Sequence, residues 1–281
     1  MDPDVFVPAS APAPEPIAAR WLGRIGYHEA WTLQKRLAAA RSAGRIGDQL
    51  LLLEHPPVLT LGRGADESHV LATAEMLAAR GIELLRVERG GEVTYHGPGQ
   101  LVAYPIVRLA DRGILLRPFV RALEASQAAT CAHFGVAADR REGHPGCWVD
   151  PDGPWVRKIG ALGLRVERGT TYHGIALNVS VNLHDFDLIN PCGMPGLRSV
   201  SLWSELGRRM ERPSTESVAE AAAVFAPDFA ARLGAALTGS LPPGAGDGSA
   251  TRAELEVLLQ AAEVVAEAEA EVVTEAAGAA R

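Results

Sequence analysis

Apolar residues recur along this chain with two different spacings, and the change between them marks out the elements. From Tyr27 to Ala43 the spacing is helical, with Trp31, Leu33 and Leu37 as core candidates. Gln49-Leu-Leu-Leu-Leu-Glu54 and Val58–Leu61 are short apolar runs split by His55-Pro56-Pro57, which predicts two strands around a break. Thr73 is placed to cap a helix that runs through Arg80 and ends at Gly81. Strands are expected over Ile82–Glu88 and Leu101–Val107. Pro105 has no N–H for a ladder, so the second of these belongs near an edge or a bulge. Arg117–Phe134 predicts a long helix closed by Gly135, and Trp155–Val166 with Thr171–Leu183 a long hairpin about Glu167-Arg168-Gly169. Helices are expected over Ser199–Leu206 and Ser214–Leu233, and Arg252–Ala280 reads as an Ala/Glu/Val helix with few large apolar anchors. Strands and helices interleave without a helix after every strand. An α/β (α+β) fold with a mixed sheet and flanking helices is expected rather than a regular βαβ repeat.

This punctuation divides the chain into a disordered extension (residues 1–19, Pro/Ala-rich over 1–16), one domain over 20–236, a flexible linker over 237–251 and an accessory helical tail over 252–281. A formal charge of −7 argues against non-specific binding to nucleic acid or membranes. The apolar runs are far shorter than a membrane span needs, and the acidic N-terminus does not resemble a signal peptide. Cys131, Cys147 and Cys192 are an odd, scattered set, which suggests free thiols in a reducing compartment. A cytoplasmic monomer is the expectation.

Of the 27 basic residues only Lys35 and Lys158 are lysines. Arginine holds its proton in essentially any protein setting, whereas an ammonium can be tuned to exchange one, so Lys158 is a candidate for proton chemistry. Codon bias toward arginine is the plainer explanation. Three segments concentrate glycine and polar residues. Arg89–Gln100 (RGGEVTYHGPGQ) can form a turn-rich loop that brings backbone close to a ligand, or an ordinary hairpin connection. It is neither a Walker loop nor a dinucleotide fingerprint. Gly160, Gly163 and Gly174 strip side chains from one hairpin, which leaves either an apolar slot or tight packing against a neighbour. Cys192 lies among turn formers in Asn190-Pro191-Cys192-Gly193, where a thiol has little packing value and more use as a nucleophile. Cys131, by contrast, suits a helix core. His144 and Cys147 are three apart, but no second pair completes a zinc site, so no metal is expected. His28, His55, His69, His133 and His184 read as surface or satisfied core residues.

Together the segments RGGEVTYHGPGQLVAYPI (89–106), RKIGALGLRVERGTTYHGIALNVSVNL (157–183) and INPCGMPGLRSVSL (189–202) resemble the lipoyl(octanoyl) transferases, over about residues 20–210. The resemblance implies a biotin/lipoate protein ligase-like catalytic fold with a large mixed sheet, a smaller sheet and flanking helices. It implies that Cys192 is an acyl-thioester nucleophile and Lys158 its partner. The acyl substrate would lie along Arg89, Gly90, Gly91, Glu92, Val93, Thr94, Tyr95 and His96, along Ala161, Leu162 and Gly163, and along Gly174, Ile175 and Ala176. No cofactor is implied. The implied partners are octanoyl-acyl carrier protein as donor, with lipoyl domains of 2-oxoacid dehydrogenase complexes and the glycine cleavage H protein as acceptors. Such partners tend to be acidic, so a basic rim is expected, with Arg89, Arg157, Arg165, Arg168 and Arg198 as candidates. His96 is expected as a hydrogen-bonding wall residue.

Overall fold

The computed structural model describes residues 15–207, 214–242 and 246–279, with side chains of the last helix to residue 264. In chain order the elements are β1 (Ile17–Arg24), α1 (Tyr27–Ser42), β2 (Gln49–Glu54), β3 (Val58–Leu61), α2 (Ala74–Ala79), β4 (Glu83–Arg86), β5 (Thr94–His96) and β6 (Gln100–Ile106). There follow α3 (Leu116–His133), β7 (Asp139–Arg141), β8 (His144–Val149), β9 (Arg157–Glu167), β10 (Thr170–Asn178), α4 (Leu202–Glu205), α5 (Thr215–Arg232), β11 (Leu237–Ser240) and α6 (Ser249–Ala279). Among the described residues the strands form an eight-stranded sheet, β11-β1-β2-β6-β10-β9-β8-β7, and a three-stranded sheet, β4-β3-β5. Parallel pairing is confined to β11–β1–β2 and β3–β4, so both sheets are mixed. This is the expected α/β architecture of a large mixed sheet and a smaller sheet with flanking helices.

The uninterrupted Leu50–Leu53 run is apolar throughout because β2 is covered on both faces. Leu50 and Leu52 pack with Phe119, Phe225 and Phe229 of α3 and α5. Leu51 and Leu53 pack with Leu33 and Leu37 of α1. The β9–β10 hairpin turns at Arg168 and Gly169, both left-handed (φ 48° and 80°), the backbone that a tight two-residue hairpin requires. Thr73 caps α2 by accepting the Met76 N–H.

Several expectations need correction. β1 lies within the segment expected to be disordered and the start of the domain, and Arg20 and Arg24 break up its apolar pattern. β7 and β8 carry little strand signal for the same kind of reason, being short and rich in glycine and charge. Pro105 sits in β6, a central strand rather than an edge. The sheet accommodates it opposite His173, whose backbone is left-handed (φ 56°) and whose N–H bonds the Gln34 side chain instead of the ladder. The expected linker contains β11, which pairs with β1, and Gly248 lies against the Leu22 backbone. The expected helical tail is α6, and it packs on the domain: Leu255, Leu259 and Ala262 are buried against α1, while Arg36 pairs with Glu256 and Glu263. Most of the expected N-terminal disorder, residues 1–14, lies outside the described residues.

His55, in the break between β2 and β3, is fully buried. Its Nδ1–H donates to the Ile25 carbonyl and its Nε2 accepts from the Tyr104 hydroxyl, each at 2.8 Å. Burial pushes its pKa down to about 4, and that of buried His173 to about 3. The folded state therefore favours neutral imidazoles, while the unfolded chain takes up protons near pH 6.5. Stability is full above pH 6.5 and falls as the pH drops toward 4, by on the order of 3 kcal/mol for His55 alone. The urea midpoint should accordingly decline between pH 7 and pH 5, and a flat midpoint would contradict this assignment.

Candidate active site

A cavity of about 420 Å³ opens between the small sheet and the β9–β10 hairpin. Residues 89–94 and His96 form one wall, and Ala161, Leu162, Gly163, Gly174, Ile175 and Ala176 line the opposite side. Lys158 and Cys192 complete it. Of the expected site residues only Tyr95 points elsewhere. Successive residues of a strand face opposite sides, and Tyr95 packs on Phe186 and donates to Asp185 at 2.9 Å.

The glycines serve packing. A side chain at Gly174 would strike the Ala103 carbonyl, one at Gly160 the Gln127 amide oxygen, and one at Gly163 the Gly90 carbonyl. Gly163 thus lets the 89–91 loop lie against β9, where the Gly90 N–H donates to the Leu164 carbonyl. The apolar surface of the cavity comes from Leu162, Leu164, Ile175 and the two alanines together with Val93, Leu116, Val120 and Phe186.

Lys158 and Cys192 are 34 positions apart in the chain, and the Lys158 Nζ lies 2.9 Å from the Cys192 Sγ. Two local features bring them together. The β8–β9 ladder pairs Cys147 with Gly160 but Trp148 with Lys158, so Ile159 is an extra residue on β9. Such a bulge re-aims the side chains beside it. The chain beyond Cys192 then returns along β9: the Lys158 N–H donates to the Arg198 carbonyl, and the Val200 N–H to the Lys158 carbonyl, each at 2.9 Å. The Lys158 ammonium is buried, donates also to the Pro145 carbonyl at 3.3 Å and stands 4.5 Å from the Trp148 ring centroid. Cys192 sits on the turn Pro191–Gly193 with φ 58°, a left-handed backbone that costs a non-glycine residue about 1 kcal/mol or more.

Sequence reasoning missed the supports of this pair. Glu124 of α3 is buried and accepts the Gly146 N–H at 3.2 Å, which fixes the segment carrying the Pro145 carbonyl. Glutamate at a buried helix position was the available signal. His69 is no bystander either: it packs on Gly193, and its carbonyl accepts the Asn190 N–H at 2.8 Å.

Arg89 is buried, so it is no part of a basic rim. Its guanidinium donates to the Gly90 carbonyl at 3.0 Å, the Thr60 carbonyl at 2.6 Å and the Thr60 hydroxyl at 2.8 Å. Arg157 is committed to Glu205 through bonds of 3.0 and 2.6 Å. Arg168 and Arg198 remain exposed. Several buried groups of the wall are held uncharged. Burial pushes Tyr27 up to about 12 and Tyr104 well above the usual phenol value, while burial, His55 and Arg89 hold His96 well below the usual histidine value. The His96 Nδ1–H donates to Gln100 at 2.8 Å, Gln100 donates to Asn178 at 2.9 Å, and Asn178 to the Val200 carbonyl at 2.9 Å. One hydrogen-bonded chain thus ties both sheets to the segment beyond Cys192.

Among the described residues no three His, Cys, Asp or Glu side chains gather closely enough to hold a metal ion. Cys147 is buried, and the neighbouring Cys131 thiol together with desolvation raises its pKa well above the usual thiol value. No helix among the described residues is long and apolar enough to cross a membrane.

The family described as "Lipoyl protein ligase A/B catalytic domain" matches residues 26–224. The octanoyltransferase of Acidobacterium capsulatum is 51% identical over 193 residues, which cover 66% of this chain and 78% of that protein. The octanoyltransferase of Chloroflexus aurantiacus is 47% identical over 205 residues, covering 73% of this chain and 89% of the other. Among solved structures, a lipoate-protein ligase A bound with ATP superposes with TM-score 0.58 at 16% identity, over 85% of this chain and 94% of that one. A bipartite lipoate protein ligase from Thermoplasma acidophilum gives TM-score 0.58 at 15% identity, over 86% and 91%. Those two likenesses concern the fold. Sequence identity of about one half over 193 and 205 residues is a much closer relation, and it places this chain in the octanoyltransferase family of lipoyl protein ligase A/B catalytic domains.

Proposed function

We propose that the protein transfers an octanoyl group from octanoyl-acyl carrier protein to a lysine amine of lipoyl domains, including those of 2-oxoacid dehydrogenase complexes and the glycine cleavage H protein, through a thioester on Cys192. The observation that carries this reading is the 2.9 Å approach of the Lys158 ammonium to the Cys192 sulfur beside a cavity with apolar walls. The thiolate is the nucleophile, and an adjacent ammonium favours it. Attack on the carrier thioester forms Cys192–S–octanoyl and expels the carrier's thiolate, which Lys158 protonates. The amine so formed accepts a proton from the incoming lysine, whose nitrogen attacks the thioester and releases the Cys192 thiolate. Arg89 is too deeply engaged to meet the partner protein, so it acts by holding the 89–91 loop against β3 and β9.

Intact-mass measurement tests this reading. Mixed with octanoyl-acyl carrier protein without ATP, the protein should gain one octanoyl group, removable by hydroxylamine and absent in Cys192→Ser. A protein that stays unmodified, or that requires ATP and free octanoate, is not working this way.

Burying about seven hydrocarbon groups of the chain at about 0.8 kcal/mol each contributes up to about 5–6 kcal/mol of binding. Ala161 borders that space, and Ala161→Leu should shorten it. The ratio of kcat/KM for octanoyl over hexanoyl donors should fall by about tenfold or more. An unchanged ratio would mean that the chain lies elsewhere.

A further inference from the structure

An acceptor lysine arrives at neutral pH as an ammonium. Turning its nitrogen into an amide releases two protons. In the proposed thioester mechanism, on which this inference rests, Cys192 leaves as a thiolate and Lys158 takes back the one proton that it gave the carrier. The second proton has no acceptor in that pair. Several wall groups are unsuited: His96 and His173 are held neutral by burial, Arg89 is already a cation, and Tyr27 and Tyr104 are buried phenols, which leaves His144 and Glu92 among the lining residues.

We propose that His69, oriented by Glu92, takes the second proton from the incoming amine and passes it to solvent. His69 ends the short turn Glu67–His69, and its Nδ1 lies 2.9 Å from the Glu92 carboxylate, which belongs to the cavity loop. A carboxylate at Nδ1 holds the ring proton there and leaves Nε2 as the base. The ring borders the residue after the nucleophile, since a side chain added to Gly193 would meet the His69 Cε1 at 2.8 Å. An antiparallel bridge between Val70 and Ile189 holds this turn beside the nucleophile loop. The His69 side chain is 25% exposed, which gives the proton a route out. The charged groups around it are Glu92 from the cavity loop and Asp66 from its own turn, with the Cys192 turn on the third side. Through Glu92 and Gly193 the one ring touches the cavity loop and the nucleophile turn together.

The test separates the two half-reactions. Octanoyl is first loaded onto Cys192, and the isolated thioester is then mixed with a lipoyl domain in single turnovers from pH 6 to 10. Loading consumes no proton acceptor, so it serves as the folding control. For His69→Gln, loading should stay within about threefold of the parent while transfer at pH 7 slows about tenfold or more. The deficit should close as the pH approaches about 10.4, where the acceptor amine arrives with one proton fewer. Added imidazole should restore part of the rate. Glu92→Gln, which keeps a hydrogen-bond acceptor at Nδ1 but removes its charge, should shift the pH profile the same way. Transfer at the parental rate at pH 7 overturns the proposal, as does an equal loss in both half-reactions or a deficit independent of pH. Failure of the parent protein to form a thioester is read before any variant and counts against the transferase reading instead.

Discussion

Cys192→Ala should lower octanoyl transfer by about 10³-fold or more, because no other group on the cavity wall can carry the acyl chain between two proteins. Cys131 and Cys147 cannot substitute, since both are fully buried. Loss of activity should not come with loss of fold. Cys192 is only partly buried and occupies a left-handed backbone that alanine tolerates about as well as cysteine. Glycine at this position relieves that strain, so Cys192→Gly should be equally inactive yet more stable by about 1 kcal/mol. Chemical unfolding of the three proteins, read beside transfer assays, checks both parts. A Cys192→Ala protein with substantial activity would remove the sulfur from the mechanism altogether.

Lys158→Arg separates the two tasks of the lysine. The guanidinium keeps a positive charge beside the sulfur but does not exchange its proton at any relevant pH. Alkylation of Cys192 by iodoacetamide should therefore stay within about threefold of the parent, whereas transfer should fall by about 10²-fold or more, the usual weight of general acid–base catalysis. Lys158→Met removes charge and proton together, so alkylation should slow as well. Normal transfer by the arginine variant would end the proton-carrying role. The Pro145 carbonyl and the Trp148 ring restrict where a side chain at 158 can go, which is why alkylation is needed as an internal check on placement.

The elements that could be read directly are those with a strong local signal. Thr73, Gly135 and the Arg168-Gly169 turn act through backbone chemistry within a few residues, so α2, α3 and the β9–β10 hairpin were legible. Strands whose partners are remote were not. β11 is a Leu-Thr-Gly-Ser stretch with little strand character of its own, and it exists because β1 offers an open edge. Pro105 looked like an edge residue because a proline lacks a donor. Its position in a central strand depends on His173, 68 residues later, giving its own N–H to Gln34. The apolar positions of α6 were visible, but nothing local said that α1 would cover them.

At the site, residue types and motifs named Cys192, Lys158 and the stretches 89–96, 161–163 and 174–176, all of which except Tyr95 line the cavity, whereas lining residues from remote elements such as Tyr27, Leu116, Val120 and Phe186 carried no local signal. Tyr95 went astray because a three-residue strand alternates its faces, and motif membership takes no account of direction. Only the folded chain decided that the glycines serve close packing, that Arg89 is buried and that His69 and Glu124 hold the segments beside Cys192 and Lys158. Those outcomes depend on distances between segments far apart in sequence, set by one bulge at Ile159 and one returning strand-like segment at 198–200. Local chemistry is written residue by residue, whereas proximity is a property of the whole packed chain.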